Sequence, residues 1–392
     1  MYSEPLFEAL RGLGWSLFTE LGVPGVGRNH QRIALDPEPI VVAVPSLFEL
    51  DPRLRDQVYG WCATNAGRLS VSRLQGLSRD LPEQARTAFH GLAATLRKHA
   101  KIKWPDEGEP PWARPPEVKP RRLPLERPAL LRFRVRALCG VGARADVLSE
   151  LIGRSTAWTR ASELAEAGYS KRAVAGILSE LSDAGVAQQL AAGNALTFQL
   201  AHNDEFRALL GADHLAFPNW ARVMLALLTF LELSDLEQES PTTRRIEGNK
   251  RRELLRKLAD ELWLDTPPIT RGNPAAWEDL MSWATRSAQE LSAGVSPALG
   301  VLKVRAAAVE GGGETWVWIH RTTPGYERLS ATLAEAHRAA SGVACTAMSP
   351  SSDGWTTFQL MLEPRLDEVG VKNKVEHLVS PMKVAWRRVL PG

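Results

Sequence analysis

A chain of 392 residues is too long for one small domain and implies two to four of them. With 44% apolar residues it can bury real cores, and its formal net charge of only +3 excludes a bulk polycation, so any nucleic-acid site has to be a local patch. The three cysteines, Cys62, Cys139 and Cys345, are odd in number and far apart, which argues against a disulfide framework and for a reducing cytoplasm.

The first residues, MYSEPLFEALRGLGW, lack the basic start and the apolar run of a signal peptide. No stretch approaches the length that spans a bilayer, and even VMLALLTFLEL from Val223 is too short, so no membrane partner is expected. Residues 1–103 read as a mostly helical domain. EPLFEALRGLGWSLFTELG is amphipathic and stops at GVPGVG. Two Asp-Pro pairs, at Asp36 and Asp51, mark helix starts in which Asp caps and Pro fills the first turn. Ala88, Leu92 and Leu96 continue the pattern at four-residue spacing. The 13 tryptophans are scattered, as core or domain-interface anchors would be.

Residues 104–128, WPDEGEPPWARPPEVKPRRLPLERP, hold too many prolines for a regular helix or a central strand and read as a semi-rigid linker. From Ala113 to Arg136 there are eight Lys/Arg against two Glu. A basic arm tracking phosphates would use Lys119, Arg121, Arg122 and Arg127; a solubilising linker packed over the surface is the other reading.

Residues 129–203 form the next unit. ALLRFRVRALCG fits both a strand period and a helical face, and a helix is favoured. GARADVLSELIGR places Val147, Leu148, Leu151 and Ile152 on one helical face. A short helix is expected from Thr159 to Ala167, a tight turn at Gly168, and then a helix whose stripe is Val174, Ile177, Leu178 and Leu181. Ser170 suits its N-cap and Gly185 its C′ position. The opposite face carries Arg172, Ala175, Gly176 and Ser179, small apart from one cation. Lys171 and Arg172 stand in the first turn, where the helix dipole disfavours cations, and an adjacent phosphate would explain them. VAQQL and ALTFQLA then read as a hairpin turning near Ala192 to Asn194.

Three helices followed by a hairpin is the order of a winged helix-turn-helix. On GVGARADVL, ELAEAGYSKRAV and LSDAGV, Val141 to Ala201 resembles the winged-helix domains of bacterial transcription regulators of the MarR-like kind, over about a sixth of the chain. Upstream, ELGVPG, LDPEPIV and DPRLRDQVYGWC resemble the front end of uncharacterised bacterial proteins with a central winged helix. The first resemblance implies a helix led into the major groove by Ser170, Lys171 and Arg172, with Ser179 on the same face. Thr159 and Arg160 would touch the DNA backbone, and Gln188, Gln189 and Asn194 would reach phosphate or minor groove. Winged helices also serve as protein-interaction modules.

Residues 204–297 read as a second helical domain. NWARVMLALLTFLELSDL is strongly apolar and suits a core or a subunit interface. TTRRIEGNKRRELLRKLADELW is basic around Arg244, Arg245, Lys250, Arg251, Arg252, Arg256 and Lys257, with Leu254, Leu255 and Leu258 as its apolar side. It reads as a solvated amphipathic face before it reads as a second phosphate-contacting surface. Residues 298–392 alternate strand-like and helix-like runs in the order ββαββα, a small α+β domain, with Glu310 to Glu314 as a hairpin loop and RLDEVGVKNKVEHLVSPMKVAW as the last helix.

The sequence contains no HExxH, CxxC, GxSxG or GxGxxG, and its eight histidines do not fall at metal-ligand spacing; His320, beside Trp318, reads as a packed or exposed histidine. No enzyme, metal or cofactor is therefore expected. The expected fold is mainly α, with a central winged helix-turn-helix and a small C-terminal α+β domain. The expected function is a cytoplasmic transcription regulator bound to double-stranded DNA, with a homodimer through Val223–Leu233 or the C-terminal domain. The alternative is an antitoxin-like or scaffold module that binds a protein partner.

Overall fold

A computed structural model of the protein describes residues 3–392 except 26, 107, 113–115, 117, 118, 120, 155–157, 166, 167, 193, 194, 213, 214, 269–275, 301–303, 310–313, 321–328, 330, 334–343, 348–354, 362–367, 380–383 and 390–392. The protein is mainly helical, and none of its described helices is long and apolar enough to cross a membrane.

The N-terminal segment holds α1 (Ser3–Glu20), α2 (Pro37–Ala43), α3 (Pro52–Asn65), α4 (Val71–Arg79) and α5 (Glu83–Ala100). In α1 the apolar stripe Leu6, Leu10, Leu13 and Leu17 is fully buried, as its 3.6-residue period requires. Asp51 caps α3 by accepting from the Arg53 and Leu54 amides. Asp36 occupies the same position before α2, yet its carboxylate caps nothing there and turns inward instead.

Residues 104–128 lie on this body as a strap where they are described. Trp104 stacks on Phe89 with ring centroids 6.3 Å apart, and Trp112 packs against Phe48 and Tyr59. Gly91 and Gly22 leave room for Pro111 and Pro124, which would stand 3.1 and 2.8 Å from a Cβ at those positions.

The chain then forms α6 (Leu131–Cys139), α7 (Ala143–Gly153), β1 (Thr159–Arg160), α8 (Ala161–Ala165), α9 (Lys171–Asp183), β2 (Ala187–Ala192) and β3 (Ala195–Leu200). Val135, Leu148, Leu151, Ile152, Val174, Leu178, Leu181, Phe198 and Leu200 share one core. The ambiguous stretch after Ala129 is helical: burial of Leu131, Arg132, Val135 and Arg136 follows the helix period. The segment from Thr159 does not start a helix. Thr159 and Arg160 pair with Phe198 and Thr197 as the edge of a three-stranded antiparallel sheet, ordered β1-β3-β2, and the described part of α8 begins after them at Ala161. A β-branched residue facing a strand partner satisfies its backbone better in the ladder than in a short helix.

Next come α10 (Asn203–Leu209), α11 (Trp220–Asp235), α12 (Pro241–Leu262) and α13 (Ala276–Ala293). The segments 1–103 and 204–297, separate in sequence, contribute to one apolar core that includes Leu13 and Leu17 from α1, Leu227 and Phe230 from α11, and Met281 and Leu291 from α13. Gly12 permits the close approach of α13, since a Cβ there would stand 2.8 Å from Ser292 Oγ. The run Val223–Leu233 is therefore core of its own chain: Val223, Ala226, Leu227, Phe230 and Leu233 are all fully buried, and this run is not free to serve as a subunit interface.

The C-terminal part is a five-stranded sheet ordered β6-β7-β5-β4-β8, from β4 (Val304–Val309), β5 (Glu314–His320), β6 (Ala344–Ala347), β7 (Trp355–Met361) and β8 (Val384–Val389). Helix α14 (Glu368–Val379) packs Val375 and Val379 against Ala306, Val317, Ile319 and Phe358. Val384, Ala385 and Trp386, expected to continue the last helix, instead belong to β8, which runs parallel to β4. A parallel neighbour needs a crossover, and α14 supplies it. The Glu310–Gly313 loop and most of the expected helix 324–341 lie outside the described residues.

One buried histidine ties the two helical segments together. His30 is fully buried; its Nε2 lies 2.9 Å from the Leu291 carbonyl and its Nδ1 lies 2.8 Å from Ser16 Oγ. A carbonyl only accepts, so Nε2 carries the proton and Nδ1 accepts from the Ser16 hydroxyl. Desolvation pushes the His30 pKa down to about 4, against a favourable contribution from the Leu291 carbonyl. The depressed value means that the unfolded chain takes up this proton first. Stability due to neutral His30 is complete above about pH 6.5 and is lost as the pH falls to about 4, by about 3 kcal/mol. Urea unfolding from pH 7 to pH 4 should show this loss, and the His30→Gln variant should show a flatter profile over the same window.

Candidate nucleic-acid interface

The helix α9 is specified locally at both ends. Ser170 is extended, with φ −70° and ψ 143°, and its hydroxyl accepts from the Ala173 amide. At the other end Gly185 has φ +71°; its amide donates to Ser182 O and the Val186 amide to Leu181 O, both at 2.9 Å, the bond pair of a Schellman motif. The expected stripe is buried at Val174, Leu178 and Leu181 and half-buried at Ile177. Lys171, Arg172, Ala175, Gly176 and Ser179 are exposed, and a Cβ added at Gly176 would meet nothing within 4 Å. Among the described residues no carboxylate pairs with Lys171 or Arg172, whereas Glu180, farther along, pairs with Arg144 of α7.

The other expected contacts divide. Arg160 is exposed on β1, and Gln188 and Gln189 are exposed on β2. Thr159 is 1% exposed, so its side chain faces the interior and does not reach a DNA backbone. Asn194 lies outside the described residues.

The basic arm is smaller than its sequence. Lys119, Arg121 and Arg122 are exposed. Arg127 instead donates to the Thr19 and Glu20 carbonyls at the end of α1, where a cation also suits the helix dipole. Arg134 donates to the carbonyls of Leu125, Arg127 and Pro128. Along α12, Arg251 pairs with Glu232 and Glu247, Lys250 with Glu247, and Arg256 with Glu253, while Arg252 donates to Pro268 O and Arg244 to Glu239 O. These cations are mostly engaged with their own chain, as on a solvated helix face. Leu254 is on that exposed side, and only Leu255 and Leu258 of the expected apolar trio are buried.

Sequence reasoning missed a buried ionic cluster, which lies behind the start of α9. Arg73 of α4 grips Asp36 with both terminal nitrogens, at 2.6 and 2.5 Å, and reaches Glu38 at 2.6 Å. Arg136 of α6 contacts Glu38 at 2.7 and 2.9 Å, Asp146 of α7 at 3.0 Å through two nitrogens, and the Arg68 carbonyl at 2.9 Å. Arg132 lies 3.4 Å from Asp36 and 3.2 Å from Asp146, and donates to Glu150 at 2.6 Å. Glu38 also accepts from the Ser70 amide at 2.8 Å. Tyr169, the residue before the α9 cap, donates its hydroxyl to Asp146 at 2.6 Å and lies 3.3 Å from Ser70 Oγ.

Burial by itself would raise the Asp36 and Asp146 carboxyls. The neighbouring guanidinium groups, Arg132 foremost for both, outweigh it and hold Asp36 well below, and Asp146 below, the usual carboxylate range. Burial, then the Asp146 charge, push the Tyr169 phenol up, so it stays a donor. A sequence signal did exist: Arg132 and Arg136 are four apart on one helix, and Asp146 and Glu150 are four apart on the next, as two antiparallel helices with complementary faces would need.

Compared with protein-family models, with characterised proteins and with solved structures, the chain matches none. The geometry of the ionic cluster makes a sharp prediction. Arg73→Met leaves buried Asp36 without its bidentate partner and takes one guanidinium from buried Glu38, and chemical denaturation should record a loss of about 3–5 kcal/mol. A loss below about 1 kcal/mol would mean that water or another cation replaces the guanidinium.

Proposed function

We propose that residues 129–203 are a winged helix-turn-helix of the MarR-like kind and that the protein is a DNA-binding transcription regulator. The observation that carries this reading is the exposed first turn of α9. Lys171 and Arg172 stand at the end of a capped helix where the dipole opposes them, without a carboxylate partner among the described residues. Behind them Ala175, Gly176 and Ser179 leave the outer face of α9 low enough to approach another backbone. Phosphates of a duplex supply the missing counter-charge, and a major groove accepts a helix of this width.

In this reading Lys171 and Arg172 lead into the groove, Ser170 and Ser179 add hydroxyls, and Arg160, Gln188 and Gln189 flank them. Lys119, Arg121 and Arg122 supply the remaining arm. Ala175 and Gly176 give no hydrogen bonds to bases, so direct readout rests on few side chains and DNA shape carries more of the selection. A second reading, a protein-binding module, draws on Leu190 and Leu196 near the tip of the β2–β3 hairpin, which are 50% and 49% exposed.

The two faces of α9 separate these readings. Arg172→Glu should change stability by less than about 0.5 kcal/mol and yet remove most affinity for duplex DNA. Leu178→Ala should cost about 2–5 kcal/mol of stability, with DNA binding lost only in proportion to unfolding. Thermal unfolding and duplex titration of both variants decide the matter: an Arg172→Glu protein that folds and binds every duplex like the parent removes the regulator reading.

The arm is tested by the salt dependence of binding. Changing Lys119, Arg121 and Arg122 together to Ala should weaken binding to all duplexes alike and lower the slope of log affinity against log salt by about two to three. An unchanged slope excludes the arm from phosphate contact.

A further inference from the structure

The start of α9 is held from behind by groups that belong to other parts of the chain. Gly168, with φ +101°, makes the turn before it, and its amide and that of Tyr169 both donate to Ala165 O, at 3.0 and 3.1 Å. Any Cβ at Gly168 would come within 3.5 Å of Arg73, and a Cβ at Gly76 would come within 3.6 Å of the Gly168 carbonyl, so α4 packs directly on this turn. Tyr169 reaches past the turn to Asp146 and Ser70. Asp146 is locked by Arg136, Arg136 by Glu38, and Glu38 by Arg73 and the Ser70 amide. The chain of contacts runs from α2 and α4 of the helical body to the residue next to the α9 cap.

We propose that Tyr169 is a positioning residue that ties the first turn of α9 to Asp146 of α7 and, through Ser70 and the Arg136–Glu38 pair, to the helical body, so that affinity for duplex DNA depends on residues at α2 and the start of α4 that touch no DNA. The part concerning affinity rests on the regulator reading above. Lys171 and Arg172 are two and three residues beyond Tyr169, so a tilt of this turn displaces both cations together. The phenol is suited to the role: it donates to a carboxylate that two guanidinium groups keep ionised, and such charge-assisted bonds are short and directional. The helical body thereby acts as part of the interface without lying in it.

The test compares Tyr169→Phe, which keeps the ring and removes only the hydroxyl, with the parent at a temperature where both are folded. Amide exchange at Ala173 and Val174 should speed up by about tenfold, while amides paired between β2 and β3 stay as they were. Ser70→Ala, a hundred residues away in sequence, should raise exchange at the same two amides several-fold in the parent and by less than about twofold on the Tyr169→Phe background. Duplex affinity of Tyr169→Phe should fall by about three- to tenfold with the salt slope unchanged, because the phenol meets no phosphate. Exchange that rises evenly over the whole central unit, or not at all, overturns the proposal, as does an equal Ser70→Ala effect on both backgrounds. Should the exchange result hold while the parent binds no duplex, the pinning of α9 stands and the DNA reading falls. Should the parent bind and Tyr169→Phe bind equally well, the link from position to affinity is refuted.

Discussion

Three buried arginines, Arg73, Arg132 and Arg136, face three buried carboxylates, Asp36, Glu38 and Asp146, in one water-poor interior, and the relation of the helical body to the central unit depends on that exchange of charge. Taking such ions out of water is expensive, and their mutual attraction repays it only when the geometry is good and the remaining donors and acceptors are used. Here the geometry is close to that limit. Arg73 and Arg136 bind bidentately, Glu38 takes an additional backbone amide, and Glu150, partly exposed, absorbs the outer edge of Arg132. Well-packed apolar residues of the same volume are often as stable as buried ion pairs, but they set no fixed position of α6 relative to Glu38 of α2. Paired charges do, because a shift of a few ångströms leaves a buried ion alone.

The same constraint explains two apparent irregularities. Asp36 stands at the N-cap position of α2 and gives its carboxylate to Arg73 rather than to its own helix. Arg132 and Arg136, which look like a continuation of a basic arm, are withdrawn from solvent. Among the described residues, the cations that reach solvent include Lys119, Arg121 and Arg122 on the strap, Arg160 on β1, and Lys171 and Arg172 on α9. The body that carries this set is held by apolar contacts of long range. Helices α1 and α13, at opposite ends of the helical segments, pack together at Gly12, and His30 bonds Ser16 to Leu291 across the same seam.

The parts legible in the sequence are those decided within about ten residues. The period of Val174, Leu178 and Leu181, the Ser170 cap and the Gly185 stop defined α9 almost to the residue, because a helix end is settled by its own first and last turns. The β2–β3 hairpin and the Asp-Pro start of α3 were legible for the same reason. The mainly helical composition followed from summing such local preferences.

Tertiary structure alone decided which of these residues face water. Arg127 and Arg136 have the same side chain and lie nine residues apart. One caps α1, and the other lies inside, because its partner Glu38 is 98 residues away. Thr159 turned inward on meeting Phe198, and the last strand formed only because β4, some eighty residues earlier, offered a free edge. The apolar run Val223–Leu233 could have covered a second subunit, and it covers α1, α2 and α13 instead. Period and propensity report that a side chain wants an apolar or a charged neighbour; only the closure of distant segments, whose order in space no local pattern encodes, determines which neighbour it receives.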